Sequence, residues 1–341
     1  MNSPPSHAQA LDSYNLGVEY LTSGNESQAE LAFQKAIELD PNLVEAWYNL
    51  ALLHQTMNKI ADAENGYRKV IDLNPDLSYA WDNLGVILYY TNRFIEAEKA
   101  FCKVIQLDPS DATGWFHLAN CLLRLGNYEE SEQAYRTSLE LDPENIEAMH
   151  NIGFTLRELN RLPDIIPFYT RMVELQPDFA LGWFDFGNVL RDIDDFTGAE
   201  KAYRKARDLE MDDPSPSIEL GILLLRAGKH QEGEDIINIA VNKYKDRATT
   251  WFGLGTVNQV FNRFADAETA YTKALEIEPK YPEAWFNLTI VLKALNKLKE
   301  AKIAIKNFLT LQPHNSTAQE ILNSLETEHL DAKDTHIDDI D

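Results

Sequence analysis

Only two cysteines, Cys102 and Cys121, occur among the 341 residues, too few for a disulfide framework. No run of 18 apolar residues is present, so the sequence predicts no membrane-spanning helix. Positive charge is scarce: Lys plus Arg number 31 against 55 Asp plus Glu, a net charge of −24. A field of that sign repels phosphate backbones and anionic headgroups, which argues against nucleic-acid and membrane-surface binding. Catalytic signatures are missing too. There is no GxGxxG behind a strand, no GxxxxGK[ST], no HExxH, no GxSxG and no CxxC. Neither an enzymatic activity nor a cofactor is therefore expected. Met1–Ala10 lacks the charged and apolar regions that open a secretory signal, so a cytoplasmic setting is expected.

What the sequence does have is a period. Pro41, Pro75, Pro109, Pro143 and Pro177 stand 34 residues apart, and Pro279 and Pro313 fall on the same grid. All six tryptophans share it: Trp47, Trp81, Trp115, Trp183, Trp251 and Trp285. Nine units follow without insertion or deletion: 10–43, 44–77, 78–111, 112–145, 146–179, 180–213, 214–247, 248–281 and 282–315. Each carries two apolar stripes at helical spacing, as in Trp81, Leu84 and Leu88 followed by Ala97, Phe101 and Val104. Position 15 reads Gly24, Asn58, Asn92, Gly126, Asn160, Asp194, Gly228, Asn262, Asn296. All are residues that tolerate positive φ, which a helix needs in order to stop and reverse. Position 8 is small throughout, from Gly17 to Thr289, which lets paired helices approach closely.

This pattern resembles the tetratricopeptide repeat family over residues 10–315. The eighth unit carries its signature as Trp251, Leu254, Gly255, Ala267, Tyr271, Ala274 and Pro279. The resemblance implies an all-α fold, a right-handed superhelical α-solenoid of helix–turn–helix repeats. Two stretches depart from the pattern. The seventh unit has Ser217 for tryptophan and is entered through Asp212–Pro216, where a shortened helix is expected. The fifth has Pro163 and Pro167 in its second helix, where a loosened helix start is expected. Outside the repeats, 1–9 reads as a flexible lead, 316–330 as a helix capping the last unit, and 331–341 as a disordered acidic tail.

In this family the first helix of each repeat lines the concave face through positions 2, 5, 6, 9, 12 and 13. By that register position 6 reads Asn15, Asn49, Asn83, His117, Asn151, Asp185, Glu219, Gly253, Asn287. The row is similar to the asparagine ladder in the repeat domain of O-linked N-acetylglucosamine transferase, which implies a grip on a peptide main chain. A carboxamide offers both a donor and an acceptor to such a chain. Position 5 is aromatic in most units, including Tyr14, Tyr48, Phe116 and Phe252. Arg124, Arg157, Arg191 and Arg226 occupy position 12 or 13 of four successive units, with Asn120 and Asn188 one turn away. They are candidates to take carboxylates, or to pair with Glu158 and Asp192 nearby. His117 and His150 would need further ligands to hold a metal, and none is apparent.

The expected partner is a protein or peptide held in the groove of a non-catalytic scaffold. Chaperone-binding family members hold a C-terminal carboxylate with cations at positions 5, 2 and 6 of neighbouring units. Here Phe116, Leu181 and Asp185 stand in those places, so chaperone C-terminal tails are not expected ligands. Two other readings remain: an architectural role through homo-oligomerisation, and an accessory subunit of an enzyme complex.

Overall fold

Each 34-residue unit alternates apolar stripes with one residue suited to positive φ, and that pattern builds two helices joined by a short turn around that residue. The computed structural model describes residues 7–209 and 212–334. It divides into two compact units, Met1–Leu175 and Gln176–Asp341. The first contains α1 (His7–Thr22), α2 (Glu26–Leu39), α3 (Val44–Thr56), α4 (Ile60–Leu73), α5 (Ser78–Tyr90), α6 (Phe94–Leu107), α7 (Ala112–Leu125), α8 (Tyr128–Leu141), α9 (Ile146–Glu158) and α10 (Ile166–Leu175). The second contains α11 (Ala180–Asp192), α12 (Phe196–Asp208), α13 (Ser215–Arg226), α14 (His230–Lys243), α15 (Ala248–Val260), α16 (Phe264–Ile277), α17 (Pro282–Ala294), α18 (Leu298–Leu311) and α19 (Ser316–Asp334). The fold is an all-α helical repeat solenoid. No helix among the described residues is long and apolar enough to cross a membrane.

All nine position-15 residues adopt positive φ, from 56° at Asn160 to 80° at Gly126. The next amide then donates five residues back, as Lys59 N–H does to the His54 carbonyl at 2.8 Å and Lys297 N–H to Leu292 at 2.8 Å. This closure satisfies carbonyls that a helix end would otherwise leave open. The second helix can then lie close to the first. A Cβ on Gly85 would stand 2.6 Å from the Phe101 ring, and one on Gly255 the same distance from Tyr271. Such rings are the core: Phe33, Tyr67, Phe101, Tyr135, Tyr203 and Tyr271 are almost wholly buried.

Two recurring bonds join one repeat to the next. Every tryptophan indole donates to the carbonyl six residues earlier, at 2.8–3.0 Å. That carbonyl belongs to the grid proline in five cases and to Lys245 in the sixth. The pairing gives the buried part of the indole a polar partner and fixes the loop to the following helix. The second bond is an ion pair across 29 residues. Lys59–Glu30, Arg93–Glu64, Arg161–Glu132, Lys229–Glu200, Arg263–Glu234 and Lys297–Glu268 are separated by 2.5–3.0 Å.

The structure departs from the sequence expectation at several points. Helix α1 begins at His7, inside the expected lead 1–9, and the His7 ring meets Asp40 at 2.6 Å. Residues 1–6 lie outside the described residues. Helix α19 runs on to Asp334, into the expected tail, because Ala318 and Leu325 are anchored in the core of the last repeat. Extending a nucleated helix costs little. Residues 335–341 lie outside the described residues. In the fifth repeat a 3₁₀ turn, Leu162–Ile165, precedes α10. Pro167 thus falls in the first turn of α10, where its missing N–H deletes no helical bond. Helix α12 stops at Asp208 and α13 starts at Ser215. Arg247 reaches back to the Asp212 carboxylate at 2.5 Å and to its carbonyl.

Two outcomes are expected. Asn92→Val should cost about 1–2 kcal/mol, the penalty of a left-handed residue with a branched side chain, whereas Asn92→Gly should be near neutral. Equilibrium urea unfolding followed by helicity measures both, and equal losses would refute the reversal argument. The second concerns acid. Hydrogen bonds from Lys59 hold the Glu30 carboxyl below its ordinary value, and bonds from Arg204 and Lys229 do the same at Glu200. At Glu64 burial acts upward, but hydrogen bonds from Arg68 and Arg93 outweigh it. A lowered folded-state pKa gives stability that is present above the unfolded value, about 4.3. That stability is lost as pH falls through the lowered value. The melting temperature should drop steeply below about pH 4.3, and less steeply in Glu64→Gln; identical acid limbs would refute the assignment.

Candidate functional site

Positions 5 and 6 of successive first helices face each other across repeat junctions. The Asn49 carboxamide donates to the Tyr14 hydroxyl at 3.0 Å, and that of Asn83 to the Tyr48 hydroxyl at 3.2 Å. Where position 5 is Asp82, position 6 is His117, and the two meet at 2.8 Å. In the second unit Ile218 occupies position 5 and Gly253 position 6. A Cβ on Gly253 would stand 3.0 Å from Ile218. The asparagine row is therefore first of all a contact between repeats, and its composition follows the residue it meets.

Where position 5 offers no acceptor, the asparagine turns elsewhere. Phe116 cannot pair, so Asn151 donates to the Asn120 oxygen at 3.0 Å, which also accepts the Tyr135 hydroxyl. Asn188 accepts the Tyr203 hydroxyl at 2.9 Å, and Asn287 donates to Tyr271 at 3.3 Å. Asn15 is exposed and its side chain has no partner among the described residues. At Asn83 both amide hydrogens are committed, the second to the Tyr79 carbonyl at 2.9 Å. What Asn83 leaves for a partner is its side-chain oxygen, an acceptor for N–H groups.

The arginines do not form a free row. Arg124 lies over the Phe94 ring, 5.0 Å from its centroid. Arg191 binds Glu219 at 2.6 Å and Asp192 at 2.9 Å, so its charge is neutralised within the second unit. Arg157 is exposed. Arg226 is exposed, makes no ion pair among the described residues, and lines a cavity of about 330 Å³ with Phe196 and Glu200. His150 packs edge-on against Phe154 at 4.9 Å. Among the described residues no group of three His, Cys, Asp or Glu stands close enough to hold a metal ion. Burial, with smaller contributions from Glu98 and Cys102, pushes the Cys121 thiol up to about 12, far from a reactive thiolate.

Positions 2, 9 and 13 of the first helices carry several exposed apolar side chains. In the first unit they expose Leu11, Leu52, Tyr79, Tyr90 and Phe154. Tyr79 packs edge-on against Tyr48 with centroids 4.7 Å apart, yet stays 43% exposed.

Family models described as tetratricopeptide repeat match residues 13–43, 32–65, 83–146, 184–249, 218–282 and 270–303. The chain belongs to the tetratricopeptide repeat family. Among solved structures it is similar to yeast Tom70, at 13% identity over 96% of this chain and 90% of that one, with a TM-score of 0.57. It is also similar to the APC/C hetero-tetramer Cut9–Hcn1, at 16% identity over 88% and 52% of the two chains, with a TM-score of 0.54. PilF of Pseudomonas aeruginosa is 22% identical over 61% and 95%, with a TM-score of 0.51. Identities this low show a shared fold. No curated protein sequence matches the chain.

Against this tetratricopeptide repeat framework, two features escaped sequence reading: the 35-residue pairing of positions 5 and 6, and the 29-residue ion pairs. Both were present as covariation between registers, Tyr with Asn, Asp with His, and Glu with Lys or Arg. A double-mutant cycle on Tyr48→Phe and Asn83→Ala should return a coupling of about 0.5–1.5 kcal/mol, one net hydrogen bond. Urea unfolding of the four proteins measures it. Additive losses would mean that the two side chains do not stabilise one another.

Proposed function

We propose that this protein is a non-catalytic interaction scaffold whose first-helix face receives an extended segment of a partner protein. The observation that carries this reading is the exposed set Leu11, Leu52, Tyr79, Tyr90 and Phe154, repeated at fixed register beside the position-6 carboxamides. Exposed aromatics on a rigid face are typical anchors for a partner. Side-chain oxygens such as that of Asn83 would accept main-chain N–H groups of the segment without reading its sequence. The net charge of −24 steers basic partners toward the surface.

Self-association is the second reading, favoured by Leu31 and Ile303, which occupy the same register of the second helix and are each more than 60% exposed. Light scattering over a range of concentrations separates the two.

Partners captured by affinity purification and identified by mass spectrometry supply the binding assay. Leu52→Ala combined with Tyr79→Ala should weaken the interaction by at least about 2 kcal/mol, the scale of an aromatic anchor. The Tyr79 side chain donates no bond to Asn83, which uses the main-chain carbonyl, so helicity should be unchanged. Full retention of the partner by this variant would remove the first-helix face as the binding surface.

A further inference from the structure

At one register of the second helices a guanidinium bridges two acids in the second and sixth repeats and bonds Glu132 in the fourth, as Arg136 at 2.8 Å; at Cys102, Asn238 and Thr272 the arginine is absent while both acids remain. In the second repeat Arg68 bonds Glu64 on its own helix at 2.8 Å and Glu96 on the next second helix at 3.3 Å. In the sixth, Arg204 bonds Glu200 at 2.8 Å and Glu232 at 2.7 Å. At the junction of the first two repeats, which has Gln34 at this register, a ring closes the site instead: His54 meets Glu30 at 3.0 Å.

At the junction of the seventh and eighth repeats the same acids are present, as Glu234 and Asp266. Arg263 bonds Glu234 at 2.7 Å, as Lys229 bonds Glu200 in the preceding junction. The arginine register, however, holds Asn238, and the register of His54 holds Asn258 where most repeats have leucine. Between α14, α15 and α16 a cavity of about 330 Å³ opens, lined by Glu234, Asn238, Trp251, Asn258, Arg263 and Asp266. Asn258 is only 7% exposed, and its side chain has no hydrogen-bond partner among the described residues. Asp266 makes no ion pair among them either. The Asn258 carboxamide lines the open cavity with no protein partner among the described residues, which leaves both its donor and its acceptor available to a ligand that enters there. Two carboxylates against one guanidinium leave the lining one charge negative.

We propose that this cavity is a binding site for an arginine side chain of a partner polypeptide, which takes the place that Arg68 and Arg204 fill internally. A planar fork of N–H donors can serve Asp266 bidentately and reach the Asn258 oxygen, while its stem lies on Ile237 and Leu254. Lysine supplies the charge without the fork. The site uses none of positions 2, 5, 6, 9, 12 or 13, so it stands apart from the first-helix face.

The full 341-residue protein should be titrated with the capped peptide Ala-Ala-Arg-Ala-Ala and its lysine and citrulline counterparts. The readout is the NMR shift of the Asn238 and Asn258 side-chain amides and of the Trp251 indole N–H. Saturable shifts are expected with the arginine peptide, weaker binding with lysine, and none with citrulline. Asp266→Asn should weaken arginine-peptide binding roughly tenfold, the loss of a charge-assisted pair, with no loss of melting temperature. Asn238→Arg should fill the socket from within, abolish the Asn258 shift and raise the melting temperature. Absence of saturable shifts at Asn258, equal binding of citrulline, or unchanged binding by Asp266→Asn would overturn the assignment. Shifts confined to Tyr79 and its neighbours would locate peptide binding on the first-helix face and overturn it equally.

Discussion

A helix can turn back on itself within two or three residues only where one of them accepts positive φ, and the described residues do so nine times. Glycine meets the requirement for lack of a Cβ; asparagine and aspartate meet it with short polar side chains. Six of the nine positions use the latter. Once the reversal is fixed, the second helix lies against the first at a distance set by the small residue at position 8. A buried ring from position 24 then fills the gap. Replacing the reversal residue with one that resists positive φ would leave both apolar stripes without a partner.

Repetition then makes weak interactions cumulative. One indole bond to a proline carbonyl, or one half-exposed ion pair, contributes little alone. Six of each recur at unvarying registers, so small contributions add along each unit. Stability in such chains is approximately a sum of repeat and neighbour terms. Departures from the pattern are therefore tolerated where they occur singly. Ser217 lacks the indole, and Pro167 lacks a donor, yet α13 and α10 form in register.

The same repetition makes exceptions informative. Gly253 looks like a break in a binding row until Ile218 is seen opposite it. Asn238 and Asn258 look like ordinary substitutions until the acids that hold Arg68 and Arg204 are found unfilled around them. Each repeat is a control for the others, with the same geometry and a different side chain.

The sequence by itself determined the period, the helix pairs, the nine reversals and the buried rings. These depend on burial and backbone conformation, which are encoded locally and recur every 34 residues. It also signalled the irregular start of the second helix in the fifth repeat and the irregular entry to α13. Only the tertiary structure decided which partner each polar side chain takes. The asparagines of position 6 could face solvent, a peptide or a neighbouring tyrosine, and all three suit a carboxamide. Arg191 could wait for a ligand or pair with Asp192, and the sequence weighs these equally; in the structure it takes Asp192 and also Glu219. Such choices are settled by which acceptor lies about 3 Å away across a junction, a distance fixed by how two repeats pack and not by either one alone.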